Sequence, residues 1–465
     1  MNDTEMEKWL AERFRAAPNP EPSERLRQAV GADRVRAGAR QRWTRPSRSF
    51  ALSGRRPIFA GMVGLAATVV LAAGLLAAVT NRPTSQPTQT PQAQVQGIKW
   101  HPATKVDATA LIFGPFLTSA GGRLFAIGQG LTISQGSITA TPVNGSDFNP
   151  GTVIVWSSAD GATWTQVSAP GAFETNGSRF APAGFSVDGN GGLIAVGNTF
   201  VGNDMQPPTA WHSSDGRTWT REQIGSSGPG AVLSVAARPG AVVAFGSQVA
   251  LVGQAAGSLA AWFSADGGTW SQALLPDSAD YTPRSITAWK GGFAAVASGM
   301  GTGVSAAWTS TDGRTWVKSA TQLTHFDATA MSALGDRVVA VGADLSDGGV
   351  MVPASWSSND GRTWVESTAS AREPATGFGD VTLAGNTLVA VGRSFAAYGE
   401  GTAPATPPAS VWISRDGLTW RLLAADPTLT IPQTLHTHLT GFGGRVLLAT
   451  QGANAVEAFL GDLAP

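Results

Sequence analysis

The chain contains no cysteine, and only 14% of its residues are charged. Without cysteine there is no disulfide, no thiolate nucleophile and no cysteine-based zinc site. Tyrosine is scarce as well, with 2 residues against 16 tryptophans and 57 glycines. Such a chain must hold itself together by side-chain packing and strand pairing, and its glycine content suits short strands joined by tight turns.

The neutral total charge hides an asymmetry along the chain. Residues 1–57 carry 13 Lys/Arg and 7 Asp/Glu, whereas the remaining residues carry 19 and 25. Nucleic-acid binding depends on a basic surface that neutralises phosphates. Because the larger, C-terminal part of the chain is net acidic, a nucleic-acid partner is not predicted.

One segment predicts a membrane crossing. Residues 58–79 contain no charged residue, and a helix of about 20 apolar residues spans a hydrocarbon core of ~30 Å. Eight arginines lie between positions 34 and 56, whereas Arg82 is the nearest basic residue on the other side. The positive-inside rule therefore places the N-terminus in the cytoplasm and the C-terminus outside. A cleaved signal peptide is the alternative, but its leader of 57 residues would be far longer than usual.

Four segments follow from this pattern. Residues 1–57 form a partly helical cytoplasmic tail, residues 58–79 the transmembrane helix, residues 80–97 a Pro/Thr/Gln-rich linker, and residues 98–465 an extracytoplasmic domain. A short amphipathic tail before one membrane span is similar to the layout of bacterial membrane-bound anti-sigma factors, although their zinc-binding His/Cys pattern is missing here. The tail either binds a cytoplasmic partner or is a basic segment held near anionic lipid.

A nine-residue box of the form W-x-S-x-D-G-x-T-W recurs along the outer domain. Its copies begin 55, 51, 46, 48 and 56 residues apart, a spacing suited to the four-stranded blade of a β-propeller. The Asp-Gly step predicts a hairpin turn, because glycine accepts a positive φ without a steric penalty. The six boxes are Trp156–Trp164, Trp211–Trp219, Trp262–Trp270, Trp308–Trp316, Trp356–Trp364 and Trp412–Trp420.

A second repeated pattern, a tight turn followed by an apolar strand, occurs seven times against six boxes. The last unit lacks its own Thr-Trp strand, whereas Gly97–His101, just after the linker, resembles that strand. We therefore predict that the N-terminal strand completes the C-terminal blade and closes the ring, which removes exposed sheet edges. The predicted fold class is all-β, a seven-bladed β-propeller with an N-terminal transmembrane helix and a short helical tail. Six or eight blades also fit the length.

The boxes resemble the Asp-box (BNR) repeat, S-x-D-x-G-x-T-W, of sialidase-type and related propellers, although Asp and Gly are adjacent in this chain. The similarity covers essentially all of residues 98–465. Asp boxes in that family are structural and lie between the third and fourth strands, away from the active site. The resemblance implies the same folding role for Asp160, Asp215, Asp266, Asp312, Asp360, Asp416, Trp164, Trp219, Trp270, Trp316, Trp364 and Trp420.

The family contains enzymes, notably sialidases, and many non-enzymatic binding and assembly propellers. Sialidases combine three arginines, a tyrosine nucleophile with a glutamate partner, and an aspartate acid/base. Their arginine-isoleucine-proline motif, which carries the first of those arginines, has no match in this chain, and the only tyrosines are Tyr281 and Tyr398. A sialidase activity would thus rest on fold analogy alone.

The two faces of such a propeller differ in their connections. The Asp-Gly turns and the short turns before the second strands share one face, here called the box face. Longer loops lie on the opposite, long-loop face, where a rigid scaffold usually carries its binding residues. They are the inter-blade loops and the segments 129–151, 199–209, 247–258, 343–353 and 394–409. The candidate ligand-binding residues there are Glu174, Arg179, Tyr281, Arg284, His325, Asp327, Arg372 and Glu373.

For each of these residues the alternative is a solvated loop side chain without a ligand. His436 and His438 could share one face of a strand, but two histidines are a weak start to a metal site. The sequence therefore predicts no metal and no cofactor, and it assigns no catalytic residue.

These observations favour a non-enzymatic binding or assembly module at the cell membrane, which engages a glycan, a cell-wall component or a protein through its long-loop face. A sialidase-like glycoside hydrolase is the first alternative, because facing carboxylates from different blades could serve glycoside hydrolysis. The second alternative is a transmembrane signalling protein, an anti-sigma-like sensor whose tail binds a cytoplasmic partner.

Overall fold

The computed structural model describes residues 95–465, except for 108–115, 130, 135–136, 141–152, 170, 174–176, 203, 225–229, 249–257, 300–302, 348–349, 368–375, 395–408, 430–435, 452–454 and 465. The predicted tail, the predicted transmembrane helix and most of the predicted linker lie outside the described residues. Every regular element of the described part is a β-strand. No helix in that part is long and apolar enough to cross a membrane.

The strands form seven sheets, each containing four antiparallel strands in the order of a propeller blade. The first strand of the chain is β1 (Gly97–Asp107). Blade 1 contains β2 (Phe116–Ala120), β3 (Arg123–Gln129), β6 (Val153–Ser158) and β7 (Thr165–Gln166). A separate hairpin, β4 (Leu131–Ser134) and β5 (Ser137–Ala140), lies between β3 and β6 in the chain. Blade 2 contains β8 (Ser178–Val187), β9 (Leu193–Val201), β11 (Thr209–Ser213) and β12 (Thr220–Gln223), with the short β10 (Asp204–Met205) beside β9.

The next three blades repeat the same order. Blade 3 contains β13 (Gly230–Arg238), β14 (Ala241–Gln248), β15 (Leu259–Ser264) and β16 (Trp270–Leu274). Blade 4 contains β17 (Tyr281–Trp289), β18 (Gly292–Gly299), β19 (Val304–Ser310) and β20 (Val317–Lys318), with β21 (Leu323–Thr324) paired to β19. Blade 5 contains β22 (Phe326–Leu334), β23 (Arg337–Asp347), β24 (Val350–Ser358) and β25 (Val365–Ser367).

The last two blades complete the set of seven, as the sequence predicts. Blade 6 contains β26 (Thr376–Ala384), β27 (Thr387–Ser394), β28 (Val411–Ser414) and β29 (Arg421–Leu422). Blade 7 contains β30 (His436–Phe442), β31 (Arg445–Gln451) and β32 (Ala455–Ala464), and its fourth strand is β1.

The pairing of β1 with β32 confirms the predicted ring closure. The two strands run antiparallel, with Gly97 opposite Ala464 and Trp100 opposite Gly461. Trp100 is buried, at 6% exposure, against the apolar seam between blades 6 and 7. The innermost strand of blade 1 contacts that of blade 7, so the seven innermost strands form a closed circle.

The chain enters the propeller on the box face. Gln96 donates a 2.8 Å backbone hydrogen bond to the carbonyl of Ala464. The guanidinium of Arg421 on β29 donates to the carbonyl of Val95 at 2.8 Å and to that of Gln96 at 3.2 Å. The entry of β1 is therefore fixed to both blade 6 and blade 7.

The core consists of apolar seams between neighbouring blades. The second and third strands are buried on both faces, so their sequences are nearly continuous apolar runs. In β15, for example, Leu259–Phe263 are apolar and buried, and the buried Ser264 follows them. Each seam joins side chains of two blades, for example Phe245 of blade 3 with Trp308 of blade 4. The seam that closes the ring joins Leu124 of blade 1 to Leu447 and Leu460 of blade 7.

Some of the long loops expected on the long-loop face are extended strands. In blade 5, β23 continues to Asp347 and β24 begins at Val350, so most of the loop predicted at 343–353 is a two-stranded ribbon. In blade 1, the loop predicted at 129–151 contains the β4–β5 hairpin, and β5 pairs in parallel with the end of β1. This hairpin extends blade 7 to six strands.

Candidate functional site

The aspartate and the serine of each box close the turn with the same hydrogen bonds. In the first box, Asp160 Oδ1 accepts the backbone N–H of Ala162 at 2.9 Å and of Thr163 at 2.7 Å. Ser158 Oγ accepts the N–H of Gly161 at 2.8 Å, and the indole N–H of Trp164 donates to the carbonyl of Gly161 at 3.1 Å. The indole bond differs in the last box, where Trp420 donates to Ser355 Oγ of blade 5 at 2.8 Å. The glycine has a φ of +79°. The box thus folds its own turn with the side chains that define the motif.

The box carboxylates are used by the turn itself. The N–H of Thr163 and the other turn donors hold the pKa of Asp160 at about 2, and the N–H groups of Thr218 and Arg217 do the same for Asp215. The turn donors also lower the pKa of the equivalent residues Asp266, Asp312, Asp360 and Asp416. A carboxylate of this kind is a poor proton donor near neutral pH.

The long-loop face brings two of the predicted residues together. Arg284 lies on β17, the innermost strand of blade 4, and Asp327 lies on β22, the innermost strand of blade 5. Arg284 Nη2 is 3.3 Å from Asp327 Oδ1, and the two side chains are 40% and 27% exposed. The pair therefore bridges the seam between blades 4 and 5 beside the central channel.

Two serines of blade 4 fix this pair in place. Ser298 Oγ accepts the Nε–H of Arg284 at 3.2 Å and donates to Asp327 Oδ1 at 2.8 Å. Ser305 Oγ donates to the carbonyl of Phe326 at 2.5 Å and accepts the N–H of Ala328 at 3.1 Å. Because those two backbone groups flank Asp327, its main chain and its side chain are both held by blade 4.

A β-bulge explains why Arg284 lies in this position. In β17 the register with β18 shifts between Pro283 and Ser285, so Arg284 has no partner residue on the second strand. The same shift occurs at the equivalent point of blades 2, 3, 5 and 6, where the unpaired residues are Ala183, Leu233, Thr329 and Gly379. Bulges re-aim side chains, and Leu233 and Arg284 are both exposed.

Two further predicted residues lie next to this pair. His325 is exposed, has a φ of +56°, and its carbonyl accepts the N–H of Leu345 at 2.7 Å. Tyr281 begins β17, and its ring meets the indole of Trp308 edge-on at 5.3 Å. Lys318 Nζ lies 4.6 Å from the centre of the Tyr281 ring. Tyr281 is therefore packed within blade 4, whereas His325 stands at the rim of the seam.

Of the remaining predicted residues, the structure describes Arg179, which does not join this group. Arg179 lies on blade 2, where its guanidinium donates to the carbonyl of Gly202 and lies 5.8 Å from the ring centre of Phe200. Glu174, Arg372 and Glu373 lie outside the described residues.

Sequence reasoning missed Asp380, on the innermost strand β26 of blade 6. Its Oδ1 accepts the N–H of Val381 at 2.8 Å, and its Oδ2 accepts the N–H of Leu439 on blade 7 at 2.7 Å. Enclosure of the carboxyl group by protein raises its pKa to about 7. Asp380 therefore links blade 6 to the closing blade, and the only signal for it was an acidic residue inside an apolar strand.

Among the residues that the structure describes, no three His, Cys, Asp or Glu side chains converge into a cluster suited to a metal. The ring of His438 on β30 packs against Phe116 on β2, with 4.8 Å between the ring centres. The Arg284–Asp327 pair instead offers hydrogen-bond donors and one acceptor carboxylate to a ligand at the seam.

No family model and no curated protein sequence matches the chain, so the similar proteins that the comparisons found are solved structures. An α-L-arabinanase of Penicillium chrysogenum shares 12% identity at a TM-score of 0.43, covering 78% of this chain and 99% of the arabinanase. The phage phi92 endosialidase shares 11% identity at a TM-score of 0.43, covering 79% and 69%. A Trypanosoma rangeli sialidase shares 13% identity at a TM-score of 0.37, covering 75% and 53%. What these proteins share with the chain is the β-propeller architecture.

Proposed function

We propose that the chain is a membrane-anchored binding module, whose propeller lies outside the cell and takes its ligand at the Arg284–Asp327 pair. In this proposal residues 58–79 cross the membrane, and the six boxes are structural Asp boxes. The single observation that carries the binding role is the pair itself. Two partly exposed, oppositely charged side chains from different blades are held in one geometry by buried serines.

Preorganisation is what separates this pair from an ordinary surface ion pair. Exposed pairs contribute little to stability, because two long side chains must be ordered in high dielectric. Here Ser298 and Ser305 are buried, at 7% and 0% exposure, and they order the pair before any ligand arrives. A ligand that contacts fixed groups loses less free energy to their ordering than one that must fix mobile loops.

A binding role fits the pair better than hydrolysis does. A glycoside hydrolase of the usual kind needs two carboxyl groups that face each other across the scissile bond. The group described here contains one carboxylate, Asp327, and it is committed to Arg284 and Ser298. Asp380 accepts backbone N–H groups through both oxygens, so it is part of the blade 6–blade 7 seam.

The test is co-sedimentation of the full-length protein with cell-envelope material from the organism that makes it. The double variant Arg284→Ala with Asp327→Ala is expected to lose binding by about tenfold or more. The matched control is Lys290→Ala with Asp336→Ala, because that pair bridges the same two blades on the box face with a 2.8 Å contact. Equal binding by both double variants, or no binding by the unaltered protein, would refute the proposed site.

A topology experiment tests the membrane anchor separately. An alkaline phosphatase fused after residue 465 is expected to be active, since this enzyme folds only outside the cytoplasm, and the fusion protein is expected in the membrane fraction. An inactive fusion, or a fusion found in the soluble fraction, would contradict the proposed orientation or the anchor.

A further inference from the structure

The Arg284–Asp327 pair leaves Nη1 of Arg284 as a donor and Oδ2 of Asp327 as an acceptor for a ligand. Arg284 directs Nε to Ser298 and Nη2 to Asp327. Asp327 accepts both Ser298 and Arg284 through Oδ1. Within the described part of the chain, Arg284 Nη1 and Asp327 Oδ2 have no hydrogen-bond partner, and both side chains are partly exposed. A donor from blade 4 thus stands beside an acceptor from blade 5.

The two charges of the pair balance each other. A carboxylate or phosphate that approached Arg284 would come almost as close to Asp327, and the repulsion from that carboxylate would offset much of the attraction. A hydroxyl group both donates and accepts hydrogen bonds. Neighbouring hydroxyls of one sugar ring can therefore engage Arg284 and Asp327 together without adding charge.

An exposed apolar side chain occupies the equivalent position of the neighbouring blade 3. Leu233 occupies in blade 3 the bulge position that Arg284 occupies in blade 4, and the innermost strands of these blades are neighbours. Its side chain is exposed, at 39%. Sugar rings present hydroxyls at their edges and C–H groups on their faces. A donor–acceptor pair together with an exposed apolar side chain on the neighbouring innermost strand suits both parts of a glycan of several sugar units.

We infer that the ligand of this site is a neutral glycan, an uncharged polysaccharide whose hydroxyls bind Arg284 and Asp327 while a ring face covers Leu233. The inference rests on the proposed function, because it names the ligand class of the same site. It separates this chain from a propeller whose ligand carries a carboxylate, because such a ligand would be repelled by the charge of Asp327.

The experiment measures binding of the full-length protein to immobilised polysaccharides. The neutral probes are arabinan, galactan, mannan and β-glucan, and the acidic probes are polysialic acid and polygalacturonate. Glycoside detergents are avoided during purification, since their sugar headgroups are neutral glycans and would compete. We expect at least one neutral probe to bind, with little change between low and high salt, because no net charge is paired.

The variant Asp327→Asn is expected to change the affinity for neutral glycans and the affinity for acidic ligands in opposite directions. It removes the negative charge and keeps the size of the side chain. For a neutral glycan the lost charge-assisted hydrogen bond is expected to weaken binding by about tenfold. For an acidic ligand the lost repulsion would strengthen binding. Leu233→Ser is expected to weaken neutral-glycan binding several-fold, and Lys290→Ala is the control without effect.

Each outcome separates this inference from the proposed function. If the acidic probes bind better than the neutral ones, or if Asp327→Asn strengthens binding, the neutral-glycan inference is overturned while the binding site stands. The same holds if no neutral probe binds although envelope material is bound through Arg284. If neither Arg284→Ala nor Asp327→Ala weakens binding to envelope material, the proposed function is refuted at this site.

Discussion

Ser298 on the second strand of blade 4 donates a 2.8 Å hydrogen bond to the carboxylate of Asp327 on the innermost strand of blade 5. The same hydroxyl accepts the Nε–H of Arg284 at 3.2 Å. One buried side chain therefore sets the positions of both charged residues at the seam. Ser298 is a positioning residue, because it contacts the two binding side chains and is itself buried, at 7% exposure.

Replacing Ser298 tests this positioning role. We expect Ser298→Ala to weaken binding to envelope material several-fold. The free energy of unfolding is expected to fall by about 1–3 kcal/mol, because the hydrogen bonds to Asp327 and from Arg284 are both lost. Ser298→Thr keeps the hydroxyl and is expected to restore most of the affinity. Binding isotherms and urea unfolding of both variants are the measurements. Unchanged binding by Ser298→Ala would show that the pair does not need this serine.

The box glycines make close contacts with the preceding blade, and Gly417 is a clear instance. Its φ is +68°, and a Cβ at this position would lie 2.3 Å from Val339 Cγ2 of blade 5. Gly385 has a similar φ of +60°, but a Cβ there would meet nothing within 4 Å. Comparing the two glycines separates backbone strain from packing.

We expect Gly385→Ala to cost about 1 kcal/mol, from the left-handed backbone alone. Gly417→Ala is expected to cost about 1–3 kcal/mol more, because the added methyl group overpacks the seam between blades 5 and 6. Urea unfolding of the two variants measures both costs. Equal losses of stability would mean that the seam adjusts to the methyl group and that only φ selects glycine in the box.

The closing strand makes a prediction about Trp100. Its side chain is buried at the blade 6–blade 7 seam, whereas the neighbouring His101 is about half exposed, at 45% for its side chain. Trp100→Ala is expected to lower the free energy of unfolding by about 3–5 kcal/mol. His101→Ala is the control in the same strand, with an expected loss below about 1 kcal/mol. Similar small losses for both variants would mean that β1 is not needed to close the ring.

Asp380 predicts an unusual dependence of stability on pH. Burial raises its pKa from 3.8 to about 7, so between these values the folded state holds a proton that the unfolded state has released. The free energy of unfolding should therefore fall as pH rises from about 4 to about 7, and this contribution should be constant above pH 7.

The variant Asp380→Asn removes this titration. The amide side chain has only one acceptor oxygen, so one of the two bound N–H groups, that of Val381 or that of Leu439, loses its acceptor. This loss lowers the free energy of unfolding at every pH. The diagnostic readout is therefore the slope of stability against pH between 5 and 8, which should be smaller in Asp380→Asn than in the unaltered protein. Identical slopes would show that Asp380 does not titrate in this range.

The repeated part of the fold could be predicted from the sequence. The Asp-Gly step predicts the turn, and the spacing of the boxes predicts the four-stranded blade. The Gly97–His101 segment predicts the closing strand, which pairs with β32 in the structure. These features are local, or they repeat, so each copy supports the others. The same repetition says nothing about residues that occur once.

The candidate site could be predicted only in part. The sequence identifies Arg284 and Asp327 as polar residues near the long-loop face. Their pairing depends on the bulge in β17 and on the contact between two blades, because the two residues are 43 positions apart in the chain. Ser298 and Ser305 look like ordinary ends of apolar strands, and their cross-blade hydrogen bonds arise from packing alone. The extension of β23 and β24 through a predicted loop has the same origin, since strand length is decided by a neighbour and not by local residues.

The most direct test of the central claim is hydrogen exchange of the full-length protein with and without saturating envelope polysaccharide. Binding at the Arg284–Asp327 pair predicts slower exchange in two segments of the long-loop face, 281–286 and 325–329. The box turn at 311–315, on the opposite face of blade 4, should exchange at an unchanged rate. Protection confined to the box turns, or bound polysaccharide that protects neither long-loop segment, would contradict a ligand site at the seam of blades 4 and 5.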